Sequence, residues 1–506
     1  MNALAIDLGT GGPKVAIVDV DGRILGSAQV AVRTSFGPLG VAEQDPEEVW
    51  YAVASATRLA LAQAPDSTAH SIDIVYPTGQ WSSIVPVDSN GRATAPMVVW
   101  MDRRGGNHSA ALLRNGGLGR WLDIHGMVPR TGSSIAHILY YQHDQPDIHH
   151  RTRAYLEPVD YLGARMTGVI ATTANAAMPL SLSDHRTLGS WGWSDELIER
   201  SGVDRARLAP FVPAFTILGP MRGDAAADMG LPPGVPVAAG CNDSIAAAFG
   251  SGALDSGEAT VVMGTTAVLT SHHRTRIVEH NRFILSMPSV LDDRYYVVAE
   301  GGMGGKALES FATRIGYPDD GANALPHAVA DADVTAAGAN GVMYLPWLMG
   351  SASPAPDESL RGGFLGMGLG TVRADLARAV MEGVAFQVAW LAEDVQTLTD
   401  HNFSRLRFAG GGALSGTWAQ ILADACALPV EQLDAPRHAN ARGAGVLGHM
   451  AAGRLTLDDV RALVPLHRRY EPNPKTASLY AHLRSVFTQL HTSLHVPSAH
   501  LQEIAP

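Results

Sequence analysis

Two segments of the chain repeat one local pattern, in which a strand turns through Gly-Thr into a second strand. In the first, the apolar residues 3–6 lead into Asp7-Leu8-Gly9-Thr10, and a second strand is predicted over residues 14–20. In the second, a strand predicted over residues 258–263 enters Gly264-Thr265-Thr266 and continues over residues 267–270. Glycine permits the tight turn in both places. The recurrence predicts a duplicated unit and so limits the folds that are open to this chain.

Strands and helices alternate along both halves of the sequence, with glycine-rich turns between them. Strands are predicted over residues 236–240 and 406–409, and helices over residues 244–249, 417–427 and 442–452. This alternation is typical of an α/β fold whose ligands lie at the carboxyl ends of the strands. At 506 residues, 46% of them hydrophobic, the chain can form two large lobes, which we expect over residues 1–245 and 246–506.

Charge and composition exclude several classes of protein. The balance of 37 Lys and Arg against 49 Asp and Glu is −12, which argues against a nucleic-acid binder or a protein of basic membrane surfaces. The N-terminus has no basic region before its apolar residues, and no stretch approaches the roughly 20 apolar residues that span a bilayer. Cys241 and Cys426 are too few for a disulfide framework and are predicted to be small core residues. We therefore expect a soluble, cytoplasmic protein.

Local signals also predict where two helices begin. Asp45-Pro46-Glu47-Glu48 is typical of a helix start, with Asp45 as N-cap and Glu48 completing a capping box. The longest helix is predicted over residues 373–399, with Thr371 in the place of a cap. Residues 319–341 are rich in Ala, Gly and Asp, and are predicted to be an insertion in a lobe or a surface loop.

The first Gly-Thr turn has the residues of a phosphate-binding loop. Its glycines allow backbone N–H groups to approach phosphate oxygens, Thr10 adds a hydroxyl donor, and Lys14 adds positive charge. Asp7 is placed where it could hold Mg²⁺ directly or through water. An ordinary hairpin, with a solvent-facing lysine and a turn-capping aspartate, explains the segment equally well when it is taken alone.

Two further glycine turns strengthen the first interpretation. Gly264-Thr265-Thr266 would give a nucleotide triphosphate donors on a second side. Residues 410–415 could pass an adenine or ribose close to the backbone, with a helix N-terminus beyond them. A plain strand turn in which Ser415 caps the next helix is the alternative for that segment.

Asp243 is the candidate catalytic base. It follows a predicted strand and stands at a helix N-terminus, which favours the ionised carboxylate. Phosphoryl transfer has a loose transition state, so a weakly basic, well-placed carboxylate suffices to take the proton of an acceptor hydroxyl. An ordinary aspartate N-cap is the alternative.

Other patterns do not qualify as sites. Residues 300–307 resemble a Walker loop, but Glu300 replaces its first glycine and Ala307 replaces its Ser or Thr. The adjacent pairs His149-His150 and His272-His273 would point to different faces, so we expect surface histidines and not metal ligands.

Taken together, the motifs resemble those of the FGGY carbohydrate kinases, in the expected order through nearly the whole chain. The most specific match is the run that leads through Arg373 into residues 376–386. Thr78-Gly79-Gln80 resembles a segment that lines the sugar pocket, and residues 96–104 resemble the family's Trp and Asp-x-Arg strand end. The resemblance implies an α/β protein of two actin-like (ribonuclease H-like) lobes flanking a catalytic cleft. It also implies ATP, Mg²⁺ and a sugar as ligands, and it allows a homodimer.

The resemblance also implies roles for individual residues. Asp243 and Asp7 would be catalytic, with Asp7 as the metal ligand. ATP would be bound by Gly9, Thr10, Lys14, Gly264, Thr265, Thr266, Gly305, Gly412, Ala413, Ser415 and Gly416. The sugar would be bound by Gln80, Trp81, Trp100, Asp102, Arg103, Asn242 and Asp243.

The sequence departs from the family pattern at two places. Gly11-Gly12-Pro13 replaces the small hydroxyl residues that normally precede the lysine, and Pro13 also lacks a backbone donor. Trp81-Ser82-Ser83 stands where xylulose kinases typically have Met-His-Gly and glycerol kinases an Arg-Glu pair. Trp81 could stack on a sugar or be a half-buried structural residue. A ketopentose such as xylulose is the expected substrate, and another ketose or polyol is the alternative.

Two other classes of protein remain to be weighed. An actin- or Hsp70-like ATPase would share the Gly-Thr loops but would not need the sugar-side segments around Trp81 and Trp100. A sugar-responsive regulator would need a DNA-reading module, for which the sequence offers neither a basic patch nor spare length. The sequence therefore favours a kinase.

Overall fold

The computed structural model describes residues 1–114 and 116–504, which form two compact units. The first unit comprises Met1–Gly252, Met287–Tyr296 and His438–Val464. The second comprises Ala253–Ser286, Val297–Arg437 and the chain from Pro465 onward. The division into domains at residues 245 and 246 stays a prediction. No helix in the described part of the chain is both long and apolar enough to cross a bilayer.

The strands before residue 250 belong to the first unit. They are β1 Asn2–Gly9, β2 Gly12–Asp19, β3 Ile24–Gln29, β4 Ser35–Gly37, β5 Val41–Gln44, β6 Ile72–Gly79, β7 Val85–Val87, β8 Met97–Val98, β9 Ala154–Leu156, β10 Ser183–Asp184, β11 Gly192–Trp193, β12 Ile217–Pro220, β13 Pro236–Ala238 and β14 Cys241–Asn242. The main sheet has the order β12-β13-β6-β1-β2-β3, with β14 also paired to β6. In it β1 is antiparallel to β2 and parallel to β6.

The remaining strands form mainly the sheet of the second unit. They are β15 Glu258–Met263, β16 Thr266–His273, β17 Val278–Glu279, β18 Ile284–Pro288, β19 Tyr295–Met303, β20 Met343–Leu345, β21 Gly363–Leu365, β22 Arg405–Ala409, β23 Val430–Leu433 and β24 Leu466–Tyr470. Their main sheet has the order β17-β18-β19-β16-β15-β22-β23-β24. Here β15 is antiparallel to β16 and parallel to β22.

The centres of the two sheets have one topology. In each, a first strand turns into an antiparallel second strand, and its other edge pairs with a parallel strand from later in the chain. The first strand of each sheet is also buried, since Leu4, Ile6, Ala259 and Val261 are all 0% exposed. The duplication that the two Gly-Thr turns predict is therefore confirmed.

The α-helices lie along the whole chain. They are α1 Pro46–Gln63, α2 Gly106–Leu112, α3 Gly117–Ile124, α4 Ser134–Asp144, α5 Pro146–Arg151, α6 Pro158–Thr167, α7 Asp195–Ser201, α8 Gly223–Met229, α9 Asp243–Ser251, α10 Gly305–Phe311, α11 Ala324–Val334, α12 Arg373–Thr399, α13 Gly416–Cys426, α14 Ala439–Ala451, α15 Leu457–Leu463 and α16 Ala477–Gln502. The bounds of α12 are those that its apolar stripe predicts.

The predicted caps are confirmed in part. Asp45 caps α1, because its side chain accepts a hydrogen bond from the backbone N–H of Glu47. The capping box is wrong, since Glu48 accepts from the N–H of Arg33 instead. The cap predicted at Thr371 is also wrong. Val372 is the N-cap of α12, where Asp375 accepts from its N–H at 3.0 Å.

Three expectations about burial have different outcomes. Cys241 is fully buried, as predicted, while Cys426 is partly exposed.

Residues 319–341 are not merely a surface loop, because α11 lies within them and packs its alanines into the core of the second unit. The surface prediction is wrong for His272 and His273, which are each 1% exposed. They lie on β16, a central strand with neighbours on both sides.

Helices α9 and α14 cross at van der Waals contact between their backbones. A Cβ atom on Gly250 would lie 1.8 Å from the carbonyl oxygen of Ala439, and one on Gly443 would lie 1.7 Å from that of Ala246. Neither position has room for a side chain. The small residues that the sequence shows in both helices thus allow a close crossing, which fixes the helix that begins at Asp243.

Candidate active site

The carboxyl ends of three neighbouring strands meet in the first unit. Thr78 of β6 is in register with Asp7 of β1 on one side and with Cys241 of β14 on the other. The chain then continues from β6 into Gln80 and from β14 into Asp243. Parallel strands therefore bring together Asp7, Gln80 and Asp243, as expected for an α/β site at the edge of a sheet.

Asp7 is a buried carboxylate near the end of β1. It is 6% exposed, and its Oδ1 accepts a hydrogen bond from the Thr78 hydroxyl at 3.2 Å. Burial raises the pKa of Asp7, and the charge of Lys14 and the Thr78 hydrogen bond oppose that shift. Lys14 stands opposite Asp7 in the β1–β2 register and is exposed.

The surroundings of Asp7 fit a magnesium ion that is held mostly by other ligands. Across the described chain, no three His, Cys, Asp or Glu side chains are grouped so that they could hold a metal ion. Mg²⁺ commonly takes one or two carboxylates and completes its shell with water and substrate phosphates. A buried carboxylate at a strand end, with one oxygen hydrogen-bonded to the Thr78 hydroxyl, fits this coordination preference of Mg²⁺.

Asp243 is the first residue of α9 and is not its cap. The cap is Asn242, whose Oδ1 accepts from the Ile245 N–H at 3.0 Å and from the Ser244 hydroxyl at 2.6 Å. The Asp243 carboxylate is thus not required to cap the helix. It is half-buried, and its pKa is raised to about 7, first by burial and then by the negative charge of Asp7, while Lys14 lowers it.

Asn242 itself is 1% exposed. Its backbone is held as well as its side chain, since its N–H donates to the Asn175 Oδ1 at 2.9 Å. The structure therefore places Asn242 as a support for Asp243, and its predicted contact with a sugar stays a prediction.

The turn of the first hairpin contacts two residues that are predicted to bind sugar. The Thr10 hydroxyl donates to the Gln80 Oε1 at 2.5 Å, and the Trp100 Nε1 donates to the Thr10 Oγ1 at 3.0 Å. Gln80 is 5% exposed, whereas Trp100 is 49% exposed. Gly9 lies beside them at the end of β1. The predicted phosphate loop and the predicted sugar segment are therefore joined by hydrogen bonds.

The other sugar-side residues are less uniform. Asp102 is fully buried, and its carboxylate accepts from the Ala42 N–H at 2.8 Å and forms an ion pair with Arg104 at 2.8 Å. Arg103 is exposed, and Trp81 is partly buried. The structure thus places Asp102 behind the surface as an anchor for Arg104, while Arg103 and Trp81 are accessible.

The second unit contains a cavity of about 510 Å³, a size typical of sites for small ligands. Five residues predicted to bind ATP line it together: Gly264, Thr265, Gly305, Gly412 and Ser415. Close backbone contacts shape it, because the Gly305 N–H donates to the Gly264 carbonyl at 2.8 Å. A Cβ on Gly412 would lie 2.7 Å from the Met263 sulfur. Glycine at position 412 therefore lets the wall of the cavity pack closely against Met263.

Three predicted residues lie next to the cavity instead of lining it. Thr266 begins β16, and its carbonyl accepts from the Gly264 N–H. Ala413 is buried, and its carbonyl accepts from the Gln432 Nε2 at 2.6 Å. Gly416 is the first residue of α13, where Ser415 is the N-cap as predicted.

Sequence reasoning missed much of the cavity wall. Gly411 and Leu414 of the predicted turn at residues 410–415, and Trp418 after it, also line the cavity. The missed lining residues are Met263, Lys306, Leu308, Glu309, Leu325, Pro326, Val329 and Arg437. Three of them lie on α11, which was expected to be part of an insertion or loop. The helical spacing of Leu325 and Val329 in an alanine-rich segment could have indicated that helix.

Comparisons with known proteins agree on one family. The models for the N-terminal and C-terminal domains of the FGGY family of carbohydrate kinases match residues 2–250 and 259–452. The xylulose kinase of Escherichia coli (strain K12) is 26% identical over 493 residues, which cover 97% of this chain and 99% of that protein. The gluconokinase of Bacillus licheniformis is 23% identical, over 97% of this chain and 96% of its own.

A solved structure agrees as well. The crystal structure of xylulose kinase from Rhodospirillum rubrum has a TM-score of 0.87 at 24% identity, and the match covers 98% of this chain and 100% of that one. This likeness and the repeated sheet topology confirm the predicted α/β fold of two actin-like lobes. The two family models together span most of the sequence. The chain therefore belongs to the FGGY family of carbohydrate kinases and is an ATP-dependent sugar kinase.

Proposed function

We propose that this kinase transfers the γ-phosphoryl group of ATP to a hydroxyl of a ketopentose such as xylulose, with Asp243 as the catalytic base. The observation that carries the proposal is the position of Asp243. Asn242 caps α9, so the half-buried carboxylate of the next residue is left available beside Asp7. A carboxylate that the fold does not need for capping is suited to chemistry.

In the transfer, the acceptor oxygen bonds to the γ-phosphorus while the bond from that phosphorus to the bridging oxygen of ADP breaks. The hydroxyl proton passes to a carboxylate oxygen of Asp243. The transition state is loose, so the proton leaves late and a base of modest strength suffices. A pKa of about 7 leaves a large part of Asp243 ionised near neutral pH.

Asp7 is the residue that would hold Mg²⁺. Bound there, the ion would neutralise charge on the phosphate oxygens during transfer. Lys14 would add a second positive charge from the facing strand. Asp7, in turn, raises the pKa of Asp243, so the two carboxylates form one electrostatic unit.

The nucleotide would lie in the cavity of the second unit. Gly264, Thr265 and Thr266 would bind phosphates through backbone and hydroxyl groups, and Gly9 and Thr10 are the corresponding residues of the first unit. Gly305, Gly412, Ala413, Ser415 and Gly416 would border the nucleoside. The apolar wall from α11 and Trp418 suits a purine ring, because a flat base is bound mainly through its faces.

The choice of a ketopentose is supported by several relatives that are named xylulose kinase and align over nearly the whole chain. The absence of an Arg-Glu pair after Gln80 argues against glycerol. Gln80, Trp81, Trp100 and Arg103 would face the sugar, with Asn242 and Asp102 as supports behind them.

The experiment measures ADP release by purified protein with D-xylulose, D-ribulose, gluconate, glycerol or no acceptor. We expect D-xylulose to give the largest increase in kcat/KM. Asp243→Asn should lower kcat by about 10³-fold or more while nucleotide affinity changes little. Asp66→Asn, at an exposed position, is the matched control and should behave as wild type.

Three results would overturn the proposal. If the Asp243→Asn variant keeps a substantial part of its activity, Asp243 is not the base. If gluconate or glycerol is preferred, the substrate assignment is wrong. If ADP release ignores every acceptor, the chain acts as an ATPase.

A further inference from the structure

Three residues around the turn of the first hairpin, Thr10, Gln80 and Gln44, form a closed path of hydrogen bonds, and Trp100 donates into it. The Trp100 Nε1 donates to the Thr10 hydroxyl at 3.0 Å, and that hydroxyl donates to the Gln80 Oε1 at 2.5 Å. The Gln80 Nε2 donates to the Gln44 Oε1 at 3.5 Å, the longest of these contacts. The Gln44 Nε2 then donates to the carbonyl of Thr10 at 2.7 Å, which closes the path at Thr10.

The direction of this path is set at both ends. An indole N–H can only donate, and a backbone carbonyl can only accept. Because the Gln44 Nε2 faces the Thr10 carbonyl and the Thr34 hydroxyl, its Oε1 is the atom that faces Gln80. The Gln80 carboxamide must therefore present its Nε2 to Gln44 and its Oε1 to Thr10.

This direction determines what Thr10 can do. A threonine hydroxyl has one proton and two lone pairs. Here the proton goes to Gln80 and one lone pair accepts from Trp100, so the hydroxyl has no proton left for a phosphate oxygen. Gln80 is 5% exposed and Gln44 is 2% exposed, so water has little access to replace Thr10 at the Gln80 oxygen. A buried acceptor that loses its donor is destabilised.

We propose that Gln44 is a positioning residue that orients the carboxamide of Gln80. In this orientation the Gln80 Oε1 accepts the proton of the Thr10 hydroxyl, so that hydroxyl cannot donate to the nucleotide. A sugar hydroxyl that donates to Gln80 would take the place of Thr10 and release its proton for the nucleotide. The inference rests on the proposed function and adds a coupling to it. Sugar binding would supply the donor that Gln80 needs, and Thr10 would then turn its proton to a phosphate. Hydrolysis of ATP in the absence of sugar would be suppressed for this reason.

The test is Gln44→Met, which keeps the length of the side chain and removes its hydrogen bonds. Without Gln44, the Gln80 carboxamide can reverse, present its Nε2 to Thr10 and leave the hydroxyl proton free. We expect ATP hydrolysis without sugar to rise about tenfold, because the variant loses the hydrogen bond that restrains Gln80 and one such bond corresponds to about a factor of ten. With sugar, kcat should change by less than about twofold, while the KM for sugar rises about two- to threefold as the competent orientation becomes less populated.

The matched control is Thr34→Val. It removes the other acceptor of Gln44 but leaves the contact with the Thr10 carbonyl, which suffices to orient the carboxamide. The variant should show the wild-type ratio of hydrolysis without sugar to turnover with sugar.

A second readout uses no nucleotide. The indole N–H resonance of Trp100, identified as the signal lost in Trp100→Phe, reports the hydroxyl to which it donates. D-Xylulose alone should shift this resonance in the wild type, and in Gln44→Met it should already be displaced before sugar is added. Because Trp100 is itself predicted to face the sugar, a shift in the wild type supports the coupling only together with the displacement in Gln44→Met, whereas a resonance that does not move with sugar overturns the coupling even if the variant does not fold.

The outcomes separate this inference from the proposed function. An unchanged hydrolysis ratio in Gln44→Met, or a Trp100 resonance that ignores the sugar, overturns the coupling while a normal sugar kinase remains. A wild-type protein whose ADP release ignores every acceptor overturns both. An equal rise in hydrolysis in Thr34→Val would also overturn the coupling, because Gln44 would then act through general packing.

Discussion

Substitution of Gly12 tests why the sequence of the first hairpin departs from the family pattern. Its φ is +118°, and a Cβ atom would lie 2.1 Å from the Val30 carbonyl oxygen and 2.9 Å from the Val32 nitrogen. That neighbouring segment is tied to the hairpin, because the N–H groups of Val30 and Val32 donate to the carbonyls of Pro13 and Gly11 at 3.2 Å. The backbone leaves no space for a hydroxyl side chain at position 12, which explains why glycine stands there in place of the hydroxyl residue of the family pattern.

Gly12→Ala should therefore destabilise the first unit strongly. A side chain in this backbone region costs about 1–3 kcal/mol. Relieving the contact by moving the neighbouring segment would weaken two hydrogen bonds, at about 1 kcal/mol each. The sum is about 3–5 kcal/mol. At roughly 2–4 °C per kcal/mol for a unit of this size, the transition of the first unit should fall by about 6 °C or more.

Calorimetry of the whole protein measures this change, and Gly11→Ala is the control. Gly11 is adjacent and exposed, and a Cβ atom added to it would meet no other atom within 4 Å. Its variant should therefore change the transition by less than about 2 °C. Equal transitions for the two variants would refute the reasoning, since position 12 would then tolerate a side chain.

Two further predictions concern titrating groups. Burial raises the pKa of Asp160 to about 8, so folding favours its protonated form and the free energy of unfolding falls as the pH rises from about 4 to 8. Asp160→Asn should raise the transition temperature more at pH 7.5 than at pH 5, and a gain that does not depend on pH would contradict this. Asp7→Asn should lower the pKa of Asp243 in protein free of nucleotide and metal, because the charge of Asp7 is one cause of its elevation. Carboxyl ¹³C titration, assigned with Asp243→Asn, measures this shift, and an unchanged midpoint would contradict it.

The elements that were predicted well are those specified by neighbouring residues. The turn at Gly9-Thr10, the cap at Asp45 and the cap at Ser415 each depend on contacts within about four residues. The helix α12 was also found at its full length, because its apolar stripe persists for many turns. Local chemistry therefore accounts for much of the fold.

What was missed depends on contacts between distant parts of the chain. Gln44 is the last residue of the short strand β5 and precedes a helix cap, and nothing nearby in the sequence marks it. Its importance comes from Thr10 and Gln80, which are 34 and 36 residues away. His272 and His273 are buried for a similar reason, since both faces of β16 are covered only once the sheet has formed. The alternation of residues along one strand does not indicate that both faces of the strand are covered in the folded protein.

The two hairpins share a topology but differ in the charges they carry. In the first, Asp7 faces Lys14 across β1 and β2. When Gly264-Thr265 is placed on Gly9-Thr10, Asp7 falls on Val262, which faces Val268 across β15 and β16, so the second hairpin has no charge there. Metal binding and proton transfer are thus confined to the first unit in our proposal. The cavity of the second unit combines backbone groups, hydroxyls and an apolar wall with two cations, Lys306 and Arg437, so it suits a nucleotide without supplying the metal ligand or the base.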